Sequence, residues 1–186
     1  MQIRNVKFYK NIDWETYINM PGKSFSWLKN EGAGIGESEG IRIGKLVHTY
    51  LLKPTEYNYE QADIVIPIAR VLVEHYNTII KWAECETGAT ADFIVDGLLM
   101  PYRGMADMNI FKHLVVDFKV LGNDLKYAME RFMYKDQIRG YMLPFEAPLG
   151  LIIAYNKKTK KVQTESVGQD IRWWTYKVKQ YGNICN

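Results

Sequence analysis

Two carboxylates and an amine set the chemistry this chain can do. Asp117-Phe118-Lys119 lies inside the apolar run Leu114-Val115-Val116-Asp117-Phe118-Lys119-Val120-Leu121, downstream of Asp107. An unpaired carboxylate or ammonium in a low-dielectric interior is costly, so such charges are met by each other, by a metal or by a substrate. Side chains alternate along a strand, which puts Asp117 and Lys119 on one face, about 7 Å apart along the backbone. With a turn centred near Lys112, Asp107 and Asp117 face each other across an antiparallel pair, side chains about 5 Å apart. Two facing carboxylates repel unless a cation sits between them. Such a pair holds Mg²⁺ while leaving positions for water and a phosphate oxygen. Lys119 then orients or deprotonates the attacking water and balances charge developing on the phosphoryl oxygens. This arrangement suits phosphodiester hydrolysis. The bland alternative is a partly exposed ion pair at a strand end, since acidic-x-Lys triplets recur by chance, as in Asp124-Leu125-Lys126.

Strands and helices must position these groups. Residues Ala91 to Leu121 read as a meander of three strands, divided at Asp96-Gly97 and around Asn109 to Lys112. Upstream, Ser24 or Ser26 caps a short helix in Ser24-Phe25-Ser26-Trp27-Leu28-Lys29. Ile43, Leu46, Val47, Tyr50 and Leu51 recur at helical spacing from Ile41 to Leu52, Pro54 closes that helix, and His48 lies just off the stripe. A second amphipathic helix is expected from about Ala69 to Glu84, with Leu72, Tyr76, Ile79 and Ala83 inward. Downstream, Gly122-Asn123-Asp124 caps a helix from about Leu125 to Met142, on which Gln137 and Tyr141 share a face. Leu149 to Tyr155 and Val162 to Val167 read as a hairpin. A terminal helix carries Ile171, Trp174, Val178 and Tyr181 inward, and Trp173 and Trp174 are read as packing residues. Gly32, Gly34, Gly36 and Gly40 suggest a phosphate cradle, but Gly44-Lys45 is followed by Leu46, so the P-loop spacing is not met.

Composition narrows the class. The 186 residues suit one domain, with an N-terminal helical segment over about 1–90 and a sheet-bearing core over about 91–186. No apolar stretch approaches the roughly 20 residues that cross a bilayer, and residues 1–7 lack a signal-peptide pattern, so a cytoplasmic protein is expected. Cys85 and Cys185 cannot alone supply a four-thiolate zinc or iron–sulfur site. A formal net charge of +3 means that nucleic-acid binding would rest on local basic patches. Arg131, Lys135 and Arg139 offer one such strip, or a solvated face.

Taken together, these residues resemble the PD-(D/E)xK nuclease superfamily, and within it the RecE-like and RecB-like phage exonucleases. Ser24 to Lys29 is similar to the family's Ser-x-Ser-x-Leu-Lys segment, and Gly44-Lys45-Leu46-Val47-His48 to its Gly-x-x-x-His helix. Gly104-Met105-Ala106-Asp107, Asp117-Phe118-Lys119 and Gln137 through Tyr141 resemble its Gly-x-x-Asp, Asp-x-Lys and Gln-x-x-x-Tyr motifs, all in the family's order. The resemblance implies an α/β, restriction-endonuclease-like core with a central mixed β-sheet flanked by α-helices. It implies Mg²⁺ or Mn²⁺ held by His48, Asp107, Asp117 and Phe118, with Lys119 serving the water and Gln137 and Tyr141 contacting the phosphate backbone or supporting Lys119. It also implies end-dependent digestion of double-stranded DNA, ring-like homo-oligomers and a single-strand annealing protein as partner. Two other classes remain open: a catalytically inactive nuclease scaffold that binds DNA or protein, and an unrelated enzyme using the acidic pair for another Mg²⁺ reaction. Alone, His48 also fits a helix-packing histidine, and Gln137 and Tyr141 fit the rim of an amphipathic helix.

Overall fold

Asp96 and Gly97, at φ 51° and 78°, make the two-residue reversal that right-twisted antiparallel strands require. Around it, this computed structural model, which describes residues 1–10, 12–31 and 38–184, folds the central meander as β2 (Glu84–Val95), β3 (Leu98–Ile110) and β4 (Leu114–Leu121). The first strand of the meander thus starts at Glu84, ahead of the expected Ala91. A hairpin of β5 (Leu149–Asn156) and β6 (Lys161–Gly168) follows where the sequence places it, with β5 parallel to β4. β1 (Gln2–Tyr9) covers the opposite edge, and the two-residue β7 (Asn183–Ile184) pairs with the start of β3. The order β1-β2-β3-β4-β5-β6, with one parallel pair among antiparallel ones, is the mixed sheet expected of an α/β core.

The N-terminal segment is not wholly helical, because it supplies β1 and the start of β2. Asn5 at φ 52° and a register irregularity between Arg4 and Lys7 break the alternation that would mark an edge strand. The helices are α1 (Trp14–Asn19), α2 (Phe25–Lys29), α3 (Glu39–Leu52), α4 (Ala62–Ile80), α5 (Leu125–Phe132), α6 (Tyr134–Met142) and α7 (Arg172–Tyr181). Ser24 caps α2 by accepting the Trp27 N–H at 3.3 Å. α4 begins before the expected Ala69 and runs through Pro67, whose missing N–H is outweighed by burial of Val65, Ile68, Ala69 and Leu72. It ends at Ile80, so Ala83 lies outside it and Glu84 is already strand. The helix expected from Leu125 to Met142 is two helices, broken by Met133 in the left-handed region. Of the glycine-rich stretch, Gly40 lies in the first turn of α3, and Gly32, Gly34 and Gly36 lie outside the described residues, as does Cys185.

Helices cover both sheet faces. α3 and α4 pack against Met108, Val116, Phe118, Ile153 and Tyr155. α2, α5, α6 and α7 pack on the other side against Phe93, Tyr102, Val115 and Ile152, with Trp174 fully buried and Trp173 partly so. Along β4, Val115 and Leu121 belong to this second core, which fixes the parity of Asp117 and Lys119 toward α5 and α6. Among the described residues, no helix is long and apolar enough to cross a membrane.

Candidate active site

The site lies where β3 and β4 part. Their ladder runs only through Ile110↔Leu114, Asn109↔Val115 and Met108↔Val116. On the other side of β3, the ladder pairs Cys85 with Met108 and Thr87 with Ala106 but skips the step between, where Glu86 takes φ 43°. The buried side chains exchange faces across that step: Ala106 packs on the α7 side and Met108 on the α3 side. Asp107 sits at the crossing, one step past the last β3–β4 pair and opposite Asp117, as the turn near Lys112 predicts.

A parting strand exposes main-chain groups that must find partners. Asp107 Oδ2 accepts the Phe118 N–H at 2.6 Å, and His48 Nε2, reaching in from α3, lies 3.0 Å from the Phe118 carbonyl oxygen. His48 Nδ1 is 3.4 Å from Asp107 Oδ1. On the adjoining face, Lys119 Nζ is 2.6 Å from Asp117 Oδ2, an oxygen that accepts no well-aligned hydrogen bond although Asp117 is only 3% exposed. His48, Asp107, Phe118, Asp117 and Lys119 therefore gather at the gap between the parted strands, near enough for the charges of His48, Asp107, Asp117 and Lys119 to act on one another.

The charges in the gap tune one another. Burial raises the Asp117 carboxyl against the pull of Lys119, and the Asp107 charge adds to the rise. Burial also works against ionised Asp107, but the His48 charge and hydrogen bond, with Lys119 and the Phe118 amide, hold that carboxyl below the usual range. For Lys119 and His48, burial opposes the cation and the facing carboxylates outweigh it, so both are raised.

Gln137 and Tyr141 meet each other: Gln137 Nε2 donates to the Tyr141 hydroxyl at 2.7 Å, and Tyr141 is buried. The phenol is pushed well above its ordinary range by burial, with Asp117 adding to the shift. A Cβ on Gly104 would stand 2.1 Å from the Tyr102 hydroxyl and 2.9 Å from Tyr141 Cδ1, so the glycine of the Gly-x-x-Asp strand gives Tyr141 room to pack there. On α6 it is Tyr134 that touches Lys119, its ring centroid 4.9 Å from the ammonium. The sequence reading gives Tyr134 no site role. Its place three residues before Gln137 was the available signal, obscured by reading α5 and α6 as one helix. That break also separates Arg131 from the other two basic residues, since Lys135 pairs with Glu165 at 3.2 Å and Arg139 with Asp136 at 3.3 Å.

The donors at the gap fit a small divalent cation. Two carboxylates, a carbonyl oxygen and an imidazole form a hard to borderline donor set suited to Mg²⁺ or Mn²⁺. The buried Asp117 Oδ2, held by an ion pair alone, is the oxygen with most to gain from a metal. Among the described residues, no three His, Cys, Asp or Glu side chains are placed so that together they could hold a metal ion as they stand. Metal binding would therefore exchange internal pairings, His48 with Asp107 and Lys119 with Asp117, for coordination.

No protein-family model and no curated protein matches this chain. Solved structures do resemble it in fold. The structure of SSO0001 superposes with a TM-score of 0.46 at 18% identity, covering 83% of this chain and 81% of that one. A Eubacterium rectale protein provisionally labelled an exonuclease gives 0.49 at 15% identity, covering 89% and 73%. The alkaline exonuclease of Laribacter hongkongensis gives 0.43 at 9% identity, covering 82% and 71%. With these scores below 0.5, the likeness is one of fold, and function rests on the side chains.

Proposed function

We propose that this chain is a metal-dependent deoxyribonuclease of the exonuclease type, cutting phosphodiester bonds at duplex ends. The observation that carries the reading is the convergence of Asp107, Asp117, His48 and Lys119 on one gap where a sheet opens. Four costly polar groups gathered at a break in the ladder are poor economy for stability alone. The order of the sequence motifs, which resembles that of PD-(D/E)xK nucleases, supports the same reading.

Asp107 and Asp117 would hold the cation, with His48 and the Phe118 carbonyl oxygen beside them. A divalent metal supplies a more acidic bound water and charge stabilisation at phosphorus. Lys119 keeps an ammonium beside that position to orient the attacking water and meet phosphoryl charge. Tyr134 packs its ring against the ammonium and limits where it can swing. The Gln137–Tyr141 pair braces the helix that carries Tyr134. An annealing protein as partner and self-association are proposed on the resemblance alone.

The test compares linear and covalently closed circular duplex DNA in Mn²⁺. Digestion of the linear form alone is expected, and Lys119→Ala abolishes it while the variant stays folded by circular dichroism. Full cleavage by Lys119→Ala removes the proposed chemistry. An inactive scaffold instead shows no cleavage and no Mn²⁺-induced rise in melting temperature.

A further inference from the structure

Residues two apart on a continuous helix point to different sides and cannot stack. Phe132 and Tyr134 do stack, with ring centroids 5.5 Å apart and planes at 29°, because Met133 at φ 54° ends α5 and starts α6 between them. A non-glycine residue held in the left-handed region carries strain, and here its effect is to bring two rings onto one surface. The inner ring, Tyr134, faces Lys119. The outer ring, Phe132, is 38% exposed.

The outward path continues with cations and a further aromatic. The Arg131 guanidinium lies 5.7 Å from the Phe132 ring and 5.8 Å from that of Tyr127, and donates to the Tyr127 hydroxyl at 2.6 Å. Tyr127 is 47% exposed. Lys29, arriving from α2, lies 5.4 Å from the Phe132 ring and donates to the Phe132 carbonyl oxygen at 3.2 Å. Among the described residues, neither Lys29 nor Arg131 is paired with a carboxylate, whereas the neighbouring Lys135 and Arg139 both are. The partly buried Tyr134, the exposed Phe132 and, across Arg131, the exposed Tyr127 thus lead from Lys119 to the surface, with the cations of Lys29 and Arg131 beside the rings.

We infer that this track, Tyr134–Phe132–Tyr127 with Lys29 and Arg131, holds a single DNA strand at the mouth of the active site. Unpaired bases stack on exposed rings at little cost in sequence preference, and cations beside those rings meet the phosphates. Within a duplex the base faces are occupied and only a terminal pair offers one, so several rings in succession match the successive bases of a separated strand. The inference rests on the proposed nuclease function for its direction, because the track leads from Lys119.

The test is equilibrium binding of fluorescein-labelled dT12, read by anisotropy with metal removed by EDTA so that no cleavage intervenes. Tyr127→Ala/Phe132→Ala is expected to weaken binding at least about tenfold, the scale of losing one or two stacked bases. Phe132→Trp, which keeps a platform, is expected to bind within about twofold of the unaltered protein. The inference is overturned if the double variant binds dT12 with unchanged affinity, if Phe132→Trp loses as much as the double variant, or if the protein binds a blunt hairpin duplex but not dT12. A protein that binds dT12 through Phe132 and cleaves no DNA in Mn²⁺ refutes the nuclease reading and leaves the strand track standing. One that cleaves linear DNA while the double variant binds dT12 normally does the reverse.

Discussion

At the scale of residues, the Asp117–Lys119 pair separates a structural role from a chemical one. Removing one partner of a buried pair strands the other charge, which costs about 3–5 kcal/mol, while neutralising both leaves no orphan. Lys119→Met alone should therefore lower the urea midpoint sharply. Asp117→Asn/Lys119→Met should recover part of the loss, with a positive coupling in the double-mutant cycle and no recovery of cleavage. Purely additive losses would show that the two charges do not depend on each other. His48 makes a second prediction, because imidazole is a better partner for Mn²⁺ than for Mg²⁺. Mn²⁺ should support cleavage at least as well as Mg²⁺, and His48→Ala should depress the Mn²⁺ rate more than the Mg²⁺ rate. Strict Mg²⁺ preference in the unaltered enzyme would remove His48 from the metal's ligands.

At the scale of elements, glycines distinguish what packing requires from what a motif contains. A Cβ on Gly140 of α6 would stand 2.1 Å from Trp174 Cζ2, and Trp174 is fully buried with its indole N–H bonded to the Asp136 carbonyl at 2.9 Å. Gly140→Ala must therefore push α6 from α7, at a cost of about 1–3 kcal/mol for an overpacked core. Gly44, in the middle of α3, meets nothing within 4 Å. Gly44→Ala should instead gain about 0.5–1 kcal/mol from helix propensity alone. Thermal unfolding of the two variants checks both signs, and a destabilised Gly44→Ala would contradict the open space beside it. The elements that the sequence made legible were those with a clean period and a local stop signal. α3 has its apolar stripe and Pro54, the meander has Asp96-Gly97, and the β5–β6 hairpin has strand-like runs on either side of the polar turn at Asn156-Lys157-Lys158. β1 was illegible because its bulge breaks the period, and the α5–α6 break was illegible because Met133 carries no turn chemistry of its own. Its left-handed conformation is imposed by packing on either side.

At the scale of the whole molecule, the site was legible to the extent that strand geometry is periodic. Alternation along β4 put Asp117 beside Lys119, and the turn position put Asp107 opposite Asp117. The role of His48 as a bridge between Asp107 and the Phe118 carbonyl, and the contact of Tyr134 with Lys119, depend on helix placement that spacing along the chain does not encode. The same limit applies to charge. A net charge of +3 on 186 residues gives little general attraction for DNA, so affinity must come from a few local contacts. Counterion release makes the salt dependence a count of those contacts, with a slope of about −0.7 per neutralised phosphate on a single strand. If Lys29 and Arg131 supply the main contacts outside the metal gap, log Kd for dT12 in EDTA should change with log salt by a magnitude of only about 1.5 to 2.5. Each of Lys29→Ala and Arg131→Ala should reduce that magnitude by about 0.7, whereas Lys135→Ala and Arg139→Ala should leave it unaltered, because those cations already face carboxylates. A steep slope indifferent to Lys29 and Arg131 would mean that the DNA lies on another face of the molecule.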